Sequence, residues 1–485
     1  MKKPLIILLT LLIWVTAATG PVSATPVPGP AQQSGSGNTV FLPLVTNVNL
    51  DQYNVRVNTP YFSDDAAKHF SEAAVFWFGQ VSPSTNYADI RFAYDNTKLW
   101  VYISTFDQYM WYPTNPTTSP LTSWDSATLQ VNTGGNIGST PSSKSYKFDA
   151  ALSWYEDRPP YQVAYQWQNN QWVKANLPLN TIAGYDGFFN DNSKGTRGWA
   201  ITFEVPFSSL GLSSRPVDGT IWGVSMTMHD RDSAAGPPLA DSSWPAGFQP
   251  TTPATWAQLR FGLPNYGAVS GTASGSTVIR RETQNSSAVP DAGLGGTTSN
   301  LCPGDNTYIW NSWGNDNFGK TADFNIQNQS KITDWPCYSK YYVTFPLSAV
   351  PANKVILSAK LVLHYWGSAG EQGQATDSLI QVLTVGGDWA ENTITWNNAP
   401  APTENVAQSW VRVPSDFNYH QWPGLPQTWD VTTAASRAYI TGQPLRLAMY
   451  EADTDYHSGK YFVSSDTGDW NIAGRPRLEI QWGNR

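Results

Sequence analysis

The feature that most constrains this chain is an alternation of apolar and polar side chains at a spacing of two, which recurs along most of its length. In Leu99-Trp-Val-Tyr-Ile-Ser, Leu99, Val101 and Ile103 share one face, and Trp100, Tyr102 and Ser104 take the other. An extended chain points successive side chains to opposite sides, so this pattern specifies half-buried strands rather than helices. Trp199-Ala-Ile-Thr-Phe-Glu-Val, Trp222-Gly-Val-Ser-Met-Thr-Met, Ser358-Ala-Lys-Leu-Val-Leu-His-Tyr-Trp366, Leu445-Arg-Leu-Ala-Met-Tyr and Leu478-Glu-Ile-Gln-Trp repeat it. Asp95-Asn96 and Asp218-Gly219 stand just before such runs, where turns belong. Composition agrees. Only 14% of residues are charged, against about 25% in an average globular protein, while 23 Trp, 23 Tyr, 38 Gly and 35 Pro crowd the chain. The reading is all-β, with two β-sandwich (jelly-roll-like) domains in tandem.

The length of 485 residues predicts two or three domains, each able to bury its own core. Lys2 and Lys3 precede an apolar run from Leu5 to Val15, and Val22-Ser23-Ala24 offers small residues for cleavage, so residues 1–24 read as a secretory signal peptide. The run is too short to cross a bilayer, which takes about 20 apolar residues. Residues 25–50 form a low-complexity spacer, with Pro26, Pro28, Pro30 and Ser34-Gly-Ser-Gly near its start. A second Gly/Ser-rich tract at 264–273 separates a domain at 51–263 from one at 274–485. An exported chain permits disulfides, and Cys302 and Cys337 are expected to pair. The balance of 29 Lys+Arg against 37 Asp+Glu, net −8 with no basic run, leaves no footprint for nucleic acid or an anionic membrane. The expected location is secreted, extracellular or at the cell surface, without membrane insertion; the oligomeric state is open.

Two ordered sets of motifs carry resemblances. Ala88-Asp-Ile-Arg-Phe-Ala-Tyr-Asp-Asn-Thr-Lys-Leu-Trp-Val-Tyr-Ile-Ser-Thr-Phe-Asp107, Trp124-Asp125-Ser126, Ile201-Thr-Phe-Glu-Val-Pro-Phe, Trp222 to Asp232 and Trp256-Ala-Gln-Leu-Arg-Phe-Gly262 together resemble the family 9 carbohydrate-binding module and its DOMON-like relatives, over about residues 52–263. That resemblance implies a sandwich that holds a sugar between aromatic side chains, with structural calcium at acidic loops. The second set is Asp305-Asn-Thr-Tyr-Ile-Trp, Asn317-Phe-Gly, Tyr342 to Pro351, Ser358-Ala-Lys-Leu-Val-Leu, Trp389 to Pro400, Trp429-Asp-Val-Thr432 and Arg475-Pro-Arg-Leu478. It resembles the DNRLRE (disaggregatase-related) domain, which is similar to family 96 carbohydrate-binding modules, over about 274–483.

No catalytic signature emerges. Glycoside hydrolysis needs two carboxylates about 5–10 Å apart, and Glu204, Glu391 and the Asp-rich loops are available, but such loops are acidic for turn reasons alone. His69, His229, His364, His420 and His457 make no zinc motif with two cysteines, and neither a Gly-x-Ser-x-Gly elbow nor a phosphate loop occurs. Binding is better served, because the C–H face of a sugar ring packs on Trp or Tyr at little entropic cost. Trp124 and Trp244 are the leading candidates, followed by Trp111, Trp100, Tyr102 and Trp366; Trp310, Trp313 and Trp422 are freer than Trp199 and Trp222, which share a face with apolar neighbours. If the strands at Ser358 and Leu445 are neighbours, Lys360 and His364 join Arg446 and Tyr450 on one surface suited to a uronate carboxylate. Asp230 with Asp232, and Asp453 with Asp455, supply hard oxygens at alternate positions for calcium, although solvated turns explain them almost as well. The function expected is non-catalytic polysaccharide binding. The rivals are a structural adhesion protein without sugar recognition and a glycan-degrading enzyme with its site in loops.

Overall fold

A computed structural model describes residues 55–154, 157–264, 271–296, 304–328, 337–370, 373–406, 410–415, 422–451 and 457–484. The chain is all-β, as the alternation predicts, and its strands form two sandwiches. In the first half, a five-stranded sheet runs in the order Phe76–Ser82, Thr85–Tyr94, Lys98–Phe106, Gly198–Pro206 and Asn180–Asp186. It packs on the strands Ala257–Phe261, Ile221–His229, Ser126–Asn132 and Ser145–Ala151 through Ile90, Phe92, Val101, Ile103, Leu129, Phe148, Ile201, Phe203 and Met226. In the second half, Asp291–Leu294, Lys340–Phe345, Leu445–Glu451 and Ser378–Val385 face a sheet containing Arg477–Asn484, Lys354–Ser368 and Lys460–Val463. Val343, Leu361, Leu363, Val382, Leu447, Phe462 and Leu478 fill the space between them. Trp199 and Trp222 lie in the first core, on the apolar faces where the alternation puts them.

The halves share more than a covalent link, and Asp51–Arg485 is one compact unit. Arg56–Thr59 pairs parallel with Ala257–Phe261 on one side and meets Pro402–Asn405 on the other, where Arg56 lies opposite Glu404. One sheet of fourteen strands therefore crosses from half to half. Asn58 and Asn405 clasp this seam: the Asn58 amide N–H donates to Asn405 Oδ1 at 2.8 Å, and each side-chain amide donates to the other's carbonyl at 2.8 and 2.9 Å. A second clasp joins Val81 to Asn397 through N–H···Oδ1 at 2.8 Å and Nδ2–H···O at 2.9 Å.

A third junction is made by charge. The outward face of Thr85–Tyr94 carries Tyr87, Asp89 and Arg91, which are buried against the second half. Lys340 Nζ sits 3.7 Å from the ring centre of Trp396, 4.0 Å from Trp77, 4.6 Å from Tyr87 and 5.2 Å from Tyr450. Nζ donates to Tyr87 Oη at 2.6 Å, and Tyr87 Oη donates to Asp89 at 2.7 Å. Asp89 also accepts from Asn328 Nδ2 and Tyr450 Oη. Burial pushes Lys340 well below its ordinary pKa and Asp89 above its own, and their mutual attraction opposes both shifts. Cation–π contact and the tyrosine relay stand in for the lost water.

Among the described residues no helix is long and apolar enough to cross a membrane. The tract 264–273 falls largely outside the described residues, as do residues 1–54. Cys337 is disulfide-bonded, while Cys302 lies outside the described residues.

Two outcomes follow from the junction. Scanning calorimetry should show both halves melting in one transition, and Lys340→Ala, which strands Asp89 in the interior, should destabilise that transition by about 3 kcal/mol or more. Two separate transitions in the unaltered protein would contradict the coupling.

Candidate functional site

Two places in the fold gather side chains with binding chemistry. The first lies at one end of the first sandwich. Asp107 follows the strand Lys98–Phe106, Asp125 precedes Ser126–Asn132, and Asp230 follows Ile221–His229. Ser126 pairs with His229, so the sheet register itself brings Asp125 and Asp230 together. Carboxylate oxygens of Asp107, Asp125 and Asp230 lie within 4.8 Å of one another, all buried. Asp125 accepts the backbone N–H groups of Trp111 at 2.5 Å and Arg231 at 2.8 Å, and Asp107 accepts Tyr109 N–H and Trp199 Nε1–H at 2.9 Å each. Asp230 Oδ1 is buried without a hydrogen-bond partner. Burial, and then neighbouring carboxylates, push Asp107 and Asp125 far above the usual range; burial and Asp232 push Asp230 up to about 7, and burial takes Asp232 to about 6. An all-oxygen donor set, crowded, buried and carrying an unpartnered oxygen, fits a hard divalent cation.

A second acidic group, Asp291, Glu391 and Asp466, differs in kind. The buried Arg281 guanidinium sits among these carboxylates, 3.0 Å from Asp466 and bonded to Glu391, and the Lys320 ammonium joins both. The cluster therefore carries its own cations and is a structural ion network.

The second place is an aromatic corner on the outer face of the second sandwich. Trp366 projects from Lys354–Ser368, Trp422 precedes the neighbouring strand Leu425–Asp430, and Trp470 stands on the short helical turn Asp469–Gly474. Trp366 and Trp422 have ring centres 6.0 Å apart and tilted by 41°, Trp422 and Trp470 are 5.4 Å apart at 85°, and Tyr461 lies 5.4 Å from Trp366. Trp422 is 47% exposed and Trp470 69%, unusual for neighbouring tryptophans of one patch. Gly424, at φ +92°, allows this approach, because a Cβ there would lie 2.7 Å from the Tyr365 carbonyl oxygen. Arg475, Arg477 and Asp469 edge the corner. Arg475 is ion-paired to Asp469 at 2.6 Å and Arg477 to Glu479 at 2.7 Å.

The residues singled out from sequence are distributed unevenly over these places. Trp244 is a core residue, buried between Phe76 and Phe92 with ring centres 5.8 Å from each, so it has no free face. Trp100 does point away from the main core, but the helical turn Ala66–Glu72 lays Phe70 over that face and Asp95 takes its indole N–H at 2.6 Å. Tyr102, beside it, packs on Phe70 and Arg91. Trp124 and Trp111 are half-buried above the acidic cluster. The Arg231 guanidinium covers Trp124 at 4.5 Å, and Asn192 accepts Trp111 Nε1–H at 2.7 Å. Trp310 and Trp313 are buried.

Lys360 and Arg446 do not meet. Lys354–Ser368 pairs with Leu425–Asp430, Lys460–Val463 and Arg477–Asn484, whereas Leu445–Glu451 lies in the opposite sheet. Lys360 stands opposite Asp430 and Glu479, Arg446 is ion-paired to Asp388, His364 is buried, and Tyr450 belongs to the Lys340 cage. The uronate surface drawn from these four residues is thus not assembled, because β-strand alternation alone does not say which sheet a strand joins. Glu204 is held by Lys98 and Asn180, and Glu391 by Arg281 and Lys320. Of the calcium residues, Asp230 and Asp232 fall at the acidic cluster, and Asp453 and Asp455 lie outside the described residues. Sequence reasoning passed over Asp107, Asp125 and Trp470 as site residues. The first two shared with Asp230 a place at a strand end, and Trp470 stood in the polar turn Ser464-Ser-Asp-Thr-Gly-Asp-Trp-Asn471, where a core residue is out of place.

Residues 297–481 match the model of carbohydrate-binding module family 96. Among solved structures, the chain is similar to a family 9 carbohydrate-binding module from Caldicellulosiruptor kristjanssonii in complex with cellotriose, at 14% identity over 45% of this chain and 98% of that one, with a TM-score of 0.31. The glucose complex of such a module from the same organism gives 13% identity over 44% and 98%, and a putative carbohydrate-binding protein from Bacteroides uniformis gives 12% over 43% and 99%, each at a TM-score of 0.31. No curated protein matches the chain.

Burial separates the tryptophans by role. Trp244→Ala should cost about 3–5 kcal/mol of stability in a denaturant titration, the range for emptying a large core side chain, whereas Trp470→Ala should leave the midpoint nearly unchanged.

Proposed function

We propose that this chain is an exported, non-catalytic polysaccharide-binding protein whose sugar contact is the corner of Trp366, Trp422 and Trp470. The observation that carries the reading is the exposure of this indole cluster inside the segment that matches a carbohydrate-binding module family. A solvent-facing group of large rings costs free energy unless a ligand covers it, and a pyranose offers a matching apolar face with hydroxyls left for water. The non-catalytic part is supported by the state of the candidate carboxylates: Glu204 and Glu391 are both tied into ion pairs. Export is supported by the basic and apolar residues of 1–24 and by the bonded state of Cys337, for which Cys302 is the partner we propose.

Calcium belongs to the same proposal as a structural ion. Asp107, Asp125 and Asp230 would hold it with Asp232 beside them, and the ion would supply the positive charge that three buried carboxylates lack. Its effect would be to fix the three loops that carry Trp111, Trp124 and Arg231.

Two measurements check these statements. In affinity electrophoresis through soluble glycans, Trp422→Ala and Trp470→Ala should each weaken retention by about tenfold, equivalent to 1.4 kcal/mol; unchanged retention in both would remove the corner from the account. Calcium at about a hundred times its Kd should stabilise the protein by about 2.7 kcal/mol, seen as a higher melting temperature that a chelator reverses. Asp230→Asn should abolish that calcium response, and a melting temperature indifferent to calcium would reject the ion.

A further inference from the structure

Part of the outer face of the first sandwich lies under a cover that is tied down by one imidazole. The turn Ala66–Glu72 lays Phe70 against Trp100 and Tyr102, and Ala66, Phe70, Ala73, Ala93 and Trp100 form a satellite core apart from the main one. Phe70 and Tyr102 have ring centres 5.5 Å apart. The chain enters the turn from Phe62, whose N–H donates to the Tyr94 carbonyl at 2.9 Å, and Asp65 caps it by accepting Ala67 N–H at 3.2 Å. So small an apolar contact puts this turn at the less stable end of the fold, where local opening precedes global unfolding.

His69 interrupts the turn, with φ −116° and ψ 16°. Its ring lies on Phe62, with centres 4.3 Å apart and planes 6° from parallel. Nε2 is 2.9 Å from Asp64 Oδ1 and Nδ1 is 2.9 Å from Glu72 Oε1, so the side chain ties the segment before the turn to the turn's last residue. A carboxylate only accepts hydrogen bonds, and a neutral imidazole carries a proton on one nitrogen alone. Both contacts are therefore hydrogen bonds only when the ring is an imidazolium. The neutral ring turns a lone pair towards one of the two carboxylates and loses that tie.

We propose that His69 is a proton-operated latch: the protonated ring holds the turn Ala66–Glu72 over Trp100 and Tyr102, and loss of the proton loosens the turn and bares those two rings. The other charged or titratable groups around the turn are Asp65 and Lys68 on the turn itself, Arg91 beside Tyr102, Lys98 with its partner Glu204 beside Trp100, and Asp95 on the Trp100 indole N–H. Asp89, farther along the same strand as Arg91, belongs to the Lys340 junction. Burial raises Tyr102, and Asp95 stays below the usual carboxylate range because the hydrogen bonds it accepts from Trp100 and Thr97 outweigh its burial. His69 is the one imidazole of this group, and its hydrogen bond to Glu72 raises it above the ordinary 6.5, against the effect of burial and with Asp64 adding to the rise. A pKa raised by folding adds its full stability below the unfolded value and loses it as pH rises through the folded one, so the cover is tight in mild acid and loosens above neutrality.

The test is dose-normalised hydroxyl-radical footprinting of the mature protein at about pH 5.5 and pH 8.5, the two sides of the imidazole range, read by mass spectrometry at Trp100, Tyr102 and, as a core reference, Trp199. Labelling of Trp100 and Tyr102 should rise about threefold or more at the higher pH, the scale of losing a partly exposed ion pair, while Trp199 stays protected at both. In His69→Gln the labelling should no longer depend on pH, and in the double variant Asp64→Asn with Glu72→Gln, which keeps the imidazole and removes its acceptors, it should be high at both. The ring-carbon resonance of His69, assigned by its loss in His69→Gln, should titrate above 6.5 in the unaltered protein and lower in the double variant. Equal labelling at the two pH values, a rise that persists in His69→Gln or is shared by Trp199, or a His69 resonance that titrates at or below 6.5 would overturn the latch.

Discussion

A single ammonium group, Lys340 Nζ, sits where the two sandwiches meet, enclosed by Trp77 and Tyr87 from one half and Trp396 and Tyr450 from the other. A buried lysine is costly unless its surroundings replace water, and here the replacement is shared between the halves: four ring faces and the Tyr87–Asp89 relay. Neither half supplies the whole cage. The Asn58–Asn405 and Val81–Asn397 clasps and the continuous sheet belong to the same seam. Together they hold the acidic cluster of the first half and the aromatic corner of the second within one folded unit.

This seam explains which features the sequence made legible. Strand positions and the inward faces followed from period-two alternation, and Trp199 and Trp222 lie in the core for the reason the alternation supplies. The outward faces were harder. Asp89 and Arg91 look like solvent-facing residues, yet they are buried because the second half covers them, a tertiary fact with no local signal. Trp100 is hidden for a similar reason, under Phe70 of a helical turn about thirty residues earlier. Lys360 and Arg446 share an alternation pattern but belong to opposing sheets.

Site residues divide along the same line. Asp230 and Asp232 were legible as hard ligands at a strand end, but their company with Asp107 and Asp125 depends on a sheet register that joins Ser126 to His229. The corner was half legible. Trp366 and Trp422 stood out as aromatics without an evident core partner, while Trp470 needed the turn Asp469–Gly474 to bring it beside Trp422. Conversely, Trp244 belongs to the short strand Ser242–Trp244, pairs with Met226 and is enclosed by Phe76 and Phe92. Tryptophan outside an evident alternation is therefore a weak sign of a platform, and tryptophan that remains exposed after folding is a stronger one.

The sugar contact proposed for Trp366, Trp422 and Trp470 is tested most directly by a crystal structure of the mature protein soaked with an oligosaccharide. The expected result is a pyranose ring stacked on Trp422 or Trp470, with its apolar face toward the indole. A sugar bound in full elsewhere, with these rings bare, would contradict it.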